Sequence, residues 1–167
     1  MANINVSAQP DFVQLFISTT TNVTTSSVIT STSTGVLLVP ALQDVTVTNN
    51  NGVFRWKQLD ELGQKVAVTP ATNSLNLTLV LDTAAFYGTT GALPQNGATA
   101  VQAGIFNLSN EKTRVYFKLY WGGTGNTEAV YGSAFLSGLA PKVTPDQPVW
   151  ISPLILEVDG RYTVSAT

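Results

Sequence analysis

Residues 54–82 read FRWKQLDELGQKVAVTPATNSLNLTLVLD, and this stretch decides the architecture that the sequence predicts. It begins with an aromatic strand end anchored by Trp56, continues through a charged tip over Lys57–Lys65, and returns as an alternating strand over Leu75–Leu81. The connection of more than a dozen residues is too long for a tight hairpin and too polar for a core element. We interpret it as a projecting arm, anchored at its base by Trp56, that contacts another copy of the protein.

The composition predicts one domain that covers part of its surface with a partner. The chain has 167 residues, which suits one hydrophobic core rather than two domains, so we assign residues 1–167 to a single domain. Hydrophobic residues make up 44% of it and charged residues 11%, well below the roughly 25% of ordinary soluble proteins. So few charges favour a polar, uncharged surface, part of which is buried against other molecules.

Missing residue types exclude most kinds of chemistry. The sequence contains no Cys and no His, which removes disulfides, thiolate metal sites and the commonest general base. Only two pairs of acidic residues lie close together, Asp60–Glu61 and Glu157–Asp159, and neither has the partners of a catalytic or metal site. We therefore predict no catalytic residue, no metal site and no cofactor.

Two further features have both a chemical and a structural interpretation. Gly122–Gly125 is rich in glycine like a phosphate-binding loop, but no helix or Lys-Ser/Thr pair follows, so it predicts a hairpin loop. Trp56, Trp121 and Trp150 could form a platform for a carbohydrate, although tryptophans in β proteins more often anchor a core or an interface. We favour the structural interpretation in both cases.

Charge and hydropathy along the chain argue against nucleic-acid and membrane binding. A net charge of −2 leaves no general excess of cations for phosphate contacts. The first residues lack the basic and apolar regions of a secretory signal, and no apolar run approaches the ~20 residues of a membrane span. We expect a soluble protein that is made in the cytoplasm and contacts no membrane.

Strand patterns dominate the chain. They predict seven to nine strands in a mainly β sandwich or barrel, with one flanking helix and the long arm projecting from it. The clearest patterns lie at Phe12–Ser18, Val36–Val39, Val45–Thr48, Leu75–Leu81, Arg114–Trp121, Ala129–Leu136, Leu154–Val158 and Arg161–Val164. Asp159–Gly160, between the last two, predicts a hairpin, and Pro153 predicts a bulge or an edge position.

One helix is predicted, over Ala98–Leu108. Its apolar face consists of residues at i, i+4 and i+7, namely Val101, Ile105 and Leu108. Asn96 is a suitable N-terminal cap, and the helix should end near Ser109–Asn110. The preceding Ala84–Gly97 contains several Gly residues and a Pro, which predicts a connection over the surface.

A run rich in Thr and Ser, Thr19–Thr34, interrupts the strand patterns. It is compatible with a disordered linker or with an edge hairpin, since Thr and Val both suit strands. We favour the hairpin because Val28–Thr30 has strand character. A regular Thr repeat of the kind that forms an ice-binding surface is absent.

The order of these motifs resembles that of bacteriophage tail tube proteins, a family that includes the tubes of contractile injection systems. The segments that carry the resemblance are Gly52–Glu61, the strand ending at Asp82 with Phe86–Gly88, the predicted helix with Arg114–Tyr120, Gly132–Pro141, Val149–Pro153 and Gly160–Tyr162. Together they span most of residues 44–164, whereas Thr19–Thr34 matches no element of the family.

The resemblance implies copies joined in rings of six, stacked into a tube in the virion tail. An arm between two strands, Phe54–Thr69, then reaches the neighbouring ring, and the terminal segments Ala2–Asp11 and Arg161–Thr167 contact other copies. The implied contact residues are Trp56, Lys57, Gln58, Leu59, Asp60, Glu61 and Lys65 on the arm and Asn3, Ile4, Val6, Arg161 and Tyr162 on the terminal segments. Implied partners also include other tail proteins such as sheath, tape measure, baseplate or terminator, while genomic DNA passes through without specific binding.

Two other classes of function fit the same sequence. A capsid-decorating, fibre or pilus-like β-sandwich would also assemble with itself, although a pilus subunit requires a secretion signal. A carbohydrate-binding or hydrolytic β-sandwich would use Trp56 or Trp121, with Asp60 or Glu61 as its acid. The tail tube is favoured because it accounts for the arm.

Overall fold

The computed structural model describes residues 13–19, 36–39, 42–50, 52–57, 59, 63–88, 104–120 and 128–165. Within these ranges the chain forms eleven β-strands and two short helices, so the predicted mainly β fold is confirmed. The strands are β1 (Gln14–Ser18), β2 (Leu37–Leu38), β3 (Leu42–Asn50), β4 (Val53–Lys57), β5 (Gln64–Val68), β6 (Thr72–Val80), β7 (Arg114–Tyr120), β8 (Ala129–Ser137), β9 (Lys142–Thr144), β10 (Gln147–Val158) and β11 (Thr163–Ser165). The helices are α1 (Thr83–Tyr87) and α2 (Ile105–Asn110).

Nine of the strands form one antiparallel sheet. Its order is β2-β1-β7-β8-β10-β6-β3, with β11 paired to β8 and β9 paired to β10. β4 and β5 form a separate two-stranded sheet. β7 and β8 are the strands of the hairpin that the sequence predicts, with Tyr120 opposite Ala129. The loop between them, residues 121–127, lies outside the described residues.

The main core lies between strands that are not neighbours in the sheet. Alternate residues of β6 and β7 are buried in it, namely Leu75, Leu77, Leu79, Val115, Phe117 and Leu119. β8 and β10 separate these two strands in the strand order, yet both strands line one core. The sheet therefore curves around the core, as the predicted sandwich or barrel requires.

A smaller cluster lies on the other face of β1. It contains Phe16, Val36, Tyr120 and Ala129, and the rings of Phe16 and Tyr120 meet edge to face at 5.8 Å. Lys118 is also buried on this face, at 1% exposure, with its Nζ 5.2 Å from the centre of the Tyr120 ring. β1 is therefore covered on both faces, which explains its continuous apolar sequence.

The predicted helix Ala98–Leu108 is wrong in its extent. α2 begins at Ile105, because Gly104 has the extended conformation φ −75°, ψ 158°. The helix ends where the sequence predicts, and Ile105 and Leu108 are buried as predicted. The segment before Gly104, including the proposed cap at Asn96, lies outside the described residues.

A second helix, α1, lies in the segment Ala84–Gly97 that the sequence assigns to a surface connection, so that assignment is wrong at its start. The Asp82 carboxylate accepts a hydrogen bond from the Ala85 N–H at 3.0 Å. The end of α1 approaches the start of α2 so closely that a Cβ on Gly104 would lie 2.3 Å from the Tyr87 carbonyl carbon. This approach requires glycine and determines where α2 starts.

The predicted hairpin at Asp159–Gly160 is wrong. β10 pairs with β8 up to Val158 opposite Ala134, and β11 pairs with the same strand, with Thr163 opposite Tyr131. Between these pairs the chain advances five residues while β8 advances three, so β11 continues β10 after a bulge. The glycine of the bulge has a φ of 98°, a conformation that favours glycine.

Pro153 lies inside β10 and pairs with Thr78 of β6. On the opposite side of β10, pairing with β9 ends at Ile151 and pairing with β8 begins at Ile155. The proline therefore stands at a local gap in the ladder, which agrees with the predicted edge position.

Two segments of the sequence predictions cannot be compared with this fold. All of Thr19–Thr34 except Thr19 itself lies outside the described residues, as does Ala2–Asp11. Across the ranges that are described, neither helix has the length and apolar character needed to cross a membrane.

Candidate assembly surface

The most prominent surface feature is the hairpin of β4 and β5, which we call the arm (Val53–Val68, described at 53–57, 59 and 63–68). Its two strands pair along their whole length. At its base the Gly52 carbonyl accepts a hydrogen bond from the Thr69 N–H at 2.9 Å, and below that β3 pairs with β6. The arm therefore extends the β3–β6 hairpin beyond the main sheet.

The arm stands clear of the core. Every residue of β4 is exposed, and Val66 and Val68 of β5 are exposed as well, the latter at 77%. None of the side chains described on the arm belongs to either buried cluster. Exposed apolar surfaces of this kind are typical of interaction sites.

Both faces of the arm carry apolar side chains. On one face the rings of Phe54 and Trp56 stack, with centres 5.7 Å apart and 23° between their planes. Alternation along the paired strands places three valines on the other face, Val53, Val66 and Val68. The arm therefore offers apolar surface on both sides.

The register corrects the predicted position of Trp56, which is not at the base of the arm. Trp56 pairs with Lys65, and only the pair of Lys57 with Gln64 lies farther out. Lys57 and Lys65, which the sequence assigns to the tip, therefore belong to the strands. Both predicted positions depend on β6 being the second strand of the arm. In the structure β4 pairs with β5, and β6 pairs with β3.

The tip of the arm is described at Leu59, whose side chain is fully exposed at 110% of its reference area. The remaining predicted contact residues of the tip lie outside the described residues, namely Gln58, Asp60 and Glu61. Contact between this tip and another copy stays a prediction.

Asn73 holds the base of the arm in place. Its buried side chain accepts a hydrogen bond from the Asn50 N–H at 3.2 Å and donates one to the Gly160 carbonyl at 2.9 Å. The amide thus joins β3 and β6 to the bulge between β10 and β11. This buried amide thereby ties the strands below the arm to the rest of the sheet.

Tyr162 has a role within its own chain. Its ring meets Phe117 edge to face at 6.3 Å, and its Oη lies 2.7 Å from the Ser74 carbonyl and 2.9 Å from the Thr48 carbonyl. Arg161 is exposed beside it. Contact of either residue with another copy stays a prediction, and the other predicted terminal contacts lie outside the described residues, namely Asn3, Ile4 and Val6.

Burial raises the pKa of Tyr162 from 10.0 to about 12. The Tyr162 hydroxyl loses its proton near pH 10 in the unfolded chain and near pH 12 in the folded chain. The stability that the protonated hydroxyl contributes to the folded state is therefore complete below pH 10 and is lost as the pH rises towards 12. We expect the free energy of unfolding to fall more steeply over this window in the wild type than in Tyr162→Phe. Urea unfolding at a series of pH values measures this difference in slope, and parallel pH profiles of the two proteins would contradict it.

At neutral pH, Tyr162→Phe should lower the free energy of unfolding by about 1 kcal/mol, because the hydrogen bond of the hydroxyl is lost.

A second apolar surface lies at the other end of the main sheet. This aromatic groove, of about 220 Å³, is lined by Leu81, Phe86, Tyr87, Pro141 and Trp150. Because the Trp150 side chain is 55% exposed, the sequence alternative of a core anchor is excluded and that of an interface anchor remains. Sequence reasoning missed the groove, since its residues come from separate segments with no common motif.

The strand order of the main sheet ends at two outer strands, β2 and β3, in the part of the chain that the structure describes; β9 and β11, which lie off this order, also pair with one strand each. β3 is nine residues long, and its pairing there is with β6 alone. An outer strand presents unpaired backbone N–H and C=O groups, which readily pair with a strand of another chain.

Among the described residues, no group of three or more acidic side chains could hold a metal ion. Asp159 forms an ion pair with Arg114, and Glu157 accepts a hydrogen bond from the Ser137 hydroxyl at 3.5 Å. The acidic pair of the carboxyl-terminal region thus has structural partners.

No family model and no curated protein matches this chain. Solved structures match its fold. The tail of an empty gene transfer agent particle, refined with C6 symmetry, has a TM-score of 0.58 at 9% identity, covering 96% of this chain and 100% of that one. The SPP1 tail tube has a TM-score of 0.56 at 11% identity, covering 96% and 81%. The anti-feeding prophage baseplate, six-fold symmetrised, has a TM-score of 0.52 at 9% identity, covering 96% of each chain. The predicted resemblance to tail tube proteins is confirmed at the level of the fold.

Proposed function

We propose that this chain is the subunit of a phage-type tail tube, a structural protein of the virion tail whose copies form stacked rings around a channel for DNA. The observation that supports this best is the arm, an exposed apolar hairpin on a fold shared with a tail tube and a gene transfer agent tail. An isolated molecule leaves such a surface in water, whereas an assembly buries it. The role involves no chemical step and no cofactor.

The outer strands of the main sheet support the proposal of ring formation. A sheet with exposed edges pairs with other sheets, and in a closed ring each copy supplies one edge and accepts another. β3, with its nine residues, is the longer of the two outer strands that the structure describes. A ring of six is proposed because the gene transfer agent tail and the anti-feeding prophage baseplate were refined with that symmetry.

The charge of the chain suits a channel for DNA. With a net charge of −2, the subunit has no overall excess of cations with which to hold phosphates, so DNA could move past it without specific binding. Other partners would be tail proteins outside the tube or at its ends, such as sheath, tape measure, baseplate or terminator. Synthesis in the host cytoplasm would precede assembly into the tail.

Electron microscopy of the purified protein tests the proposal directly. We expect negative-stain images to show rings and tubes of uniform diameter, with six-fold symmetry in end views. Light scattering should show that their mass grows with protein concentration. A protein that stays strictly monomeric at high concentration in both measurements would contradict the proposal.

A further inference from the structure

The arm and the aromatic groove lie at opposite ends of the same strand. β6 begins at Thr72 beside the base of the arm and ends at Val80, directly before Leu81 of the groove. Its nine residues span roughly 26 Å at the usual rise of a strand. A hydrogen bond from the Leu81 N–H to the Trp150 carbonyl, at 2.9 Å, holds the groove against the end of the sheet.

The groove is built to receive an apolar side chain. Phe86 forms the base of the groove and is buried, at 4% exposure. The centre of the Phe86 ring lies 5.0 Å from that of Tyr87 and 5.6 Å from that of Phe106. Tyr87 and Trp150 form its sides and are more than half exposed. Aromatic side chains around a rigid depression are typical of the pockets that hold the anchor residue of a partner.

The arm supplies a matching anchor. Leu59 is an apolar residue held at the end of a paired hairpin with its whole side chain in water. The Phe54–Trp56 stack continues the apolar surface behind it. One end of the molecule thus presents a projecting apolar residue, and the other end presents an apolar depression.

Charges on the strands of the arm favour the same pairing. These strands carry the cations Arg55, Lys57 and Lys65 and no acid, whereas the sequence of the tip contains Asp60 and Glu61 directly after Leu59. The end of the sheet that holds the groove exposes the carboxylates of Asp82 and Asp146, together with one cation, Lys142. Opposite charges on surfaces that meet speed their encounter and fix its direction.

We propose that the aromatic groove receives Leu59 from the arm of a second copy of this chain, in the adjoining ring. The molecule's own arm points away from the groove across the length of β6, so another copy must fill it. Such a contact joins two different surfaces and repeats from copy to copy, which builds an open stack along one direction. This inference rests on the proposed function, because it names the surface that the arm binds when rings stack.

Cysteine cross-linking tests this contact, and the absence of native Cys makes the result specific. Leu59→Cys/Tyr87→Cys trims both sides of the contact, so it is assembled well above the protein concentration at which the wild type forms tubes. We then expect mild oxidation of the assembled protein to give a ladder of covalent oligomers on non-reducing gels. Mass spectrometry of the linked peptide should identify a bond between positions 59 and 87. The matched control is Leu59→Cys/Val164→Cys, because Val164 is equally exposed but lies beside the base of the arm. No 59–164 bond is expected.

The concentration needed for tube formation gives a second, quantitative test. Leu59→Ala keeps the hairpin but removes the anchor side chain, and we expect it to raise the protein concentration needed for tube formation about tenfold. Tyr87→Ala should have a similar effect from the groove side. Single rings should still form in both variants, since neither position belongs to β2 or β3.

The outcomes separate this inference from the proposed function. A bond between positions 59 and 87 within tubes supports both. Tubes that form while this bond is missing, or while Leu59→Ala assembles at the wild-type concentration, would overturn the inference and leave the proposed function intact. A wild-type protein that forms neither rings nor tubes would overturn both.

Discussion

Replacing the arm with a two-residue turn is expected to give a folded protein that forms no tubes. In this variant Val53–Val68 is removed, and Gly52 is joined to Thr69 through Asn-Gly. The hydrogen bond between Gly52 and Thr69 already closes the base of the arm at 2.9 Å, and Asn-Gly is the preferred two-residue connection between antiparallel strands. The turn therefore fits the existing geometry.

This deletion should have little effect on the stability of the folded state. No described side chain of the arm belongs to a buried cluster, so we expect the free energy of unfolding to change by less than about 1 kcal/mol. Tube formation should be lost, because the arm is the proposed contact between rings. Urea unfolding and electron microscopy measure the two effects on the same preparation.

A second variant separates the length of the arm from its side chains. Replacing Val53–Val68 by a Gly-Ser segment of equal length keeps the connection but removes the apolar faces and the pairing. We expect this variant to behave like the deletion. Normal tubes from either variant would show that stacking does not depend on the arm.

Local patterns predicted the strands whose burial is one-sided or complete. Leu75–Leu81 alternates because β6 has one buried face. The β1 sequence is continuously apolar because both of its faces are covered. In each case the burial of the two faces of one strand sets the spacing of its apolar residues, so the strand can be predicted without knowing its partner.

Features that depend on distant residues could not be predicted in this way. Asp159–Gly160 has the composition of a hairpin turn, but the next strand pairs with β8, far away in sequence, and the same dipeptide then forms a bulge. The apolar spacing of a helix runs through Gly104 without interruption. The helix nevertheless starts after it, since the end of α1 lies against that glycine.

The exposed features of the candidate assembly surface could be predicted in part. The arm could be recognised because its sequence lacks the period of a buried strand while keeping aromatic and β-branched residues. The position of Trp56 depends on the register of β4 with β5, which the sequence leaves open. The aromatic groove could not be recognised at all, since Phe86, Pro141 and Trp150 come together only in the fold.

Gly104→Ala is expected to destabilise the folded protein strongly. A Cβ at this position would lie 2.3 Å from the carbonyl carbon of Tyr87, 2.4 Å from the Phe86 carbonyl oxygen and 2.5 Å from the Gly88 nitrogen. All three are backbone atoms, which cannot rotate away as a side chain does. Overpacking against side chains typically costs 1–3 kcal/mol, so we expect a loss of about 3 kcal/mol or more.

The same substitution should also affect assembly, because the atoms that must move belong to the aromatic groove. Phe86 and Tyr87 line that groove, and the Gly104 carbonyl accepts the hydrogen bond from Leu108 that starts α2. Urea unfolding gives the loss of stability, and electron microscopy at a temperature where the variant is still folded gives the loss of stacking. Gly63→Ala is the matched control: no atom lies within 4 Å of its added methyl group, so its stability should stay within about 1 kcal/mol of the wild type. If Gly104→Ala were as stable as Gly63→Ala, the ends of α1 and α2 could not be in the contact that defines the groove, and the receptor assigned to Leu59 would have to be sought elsewhere.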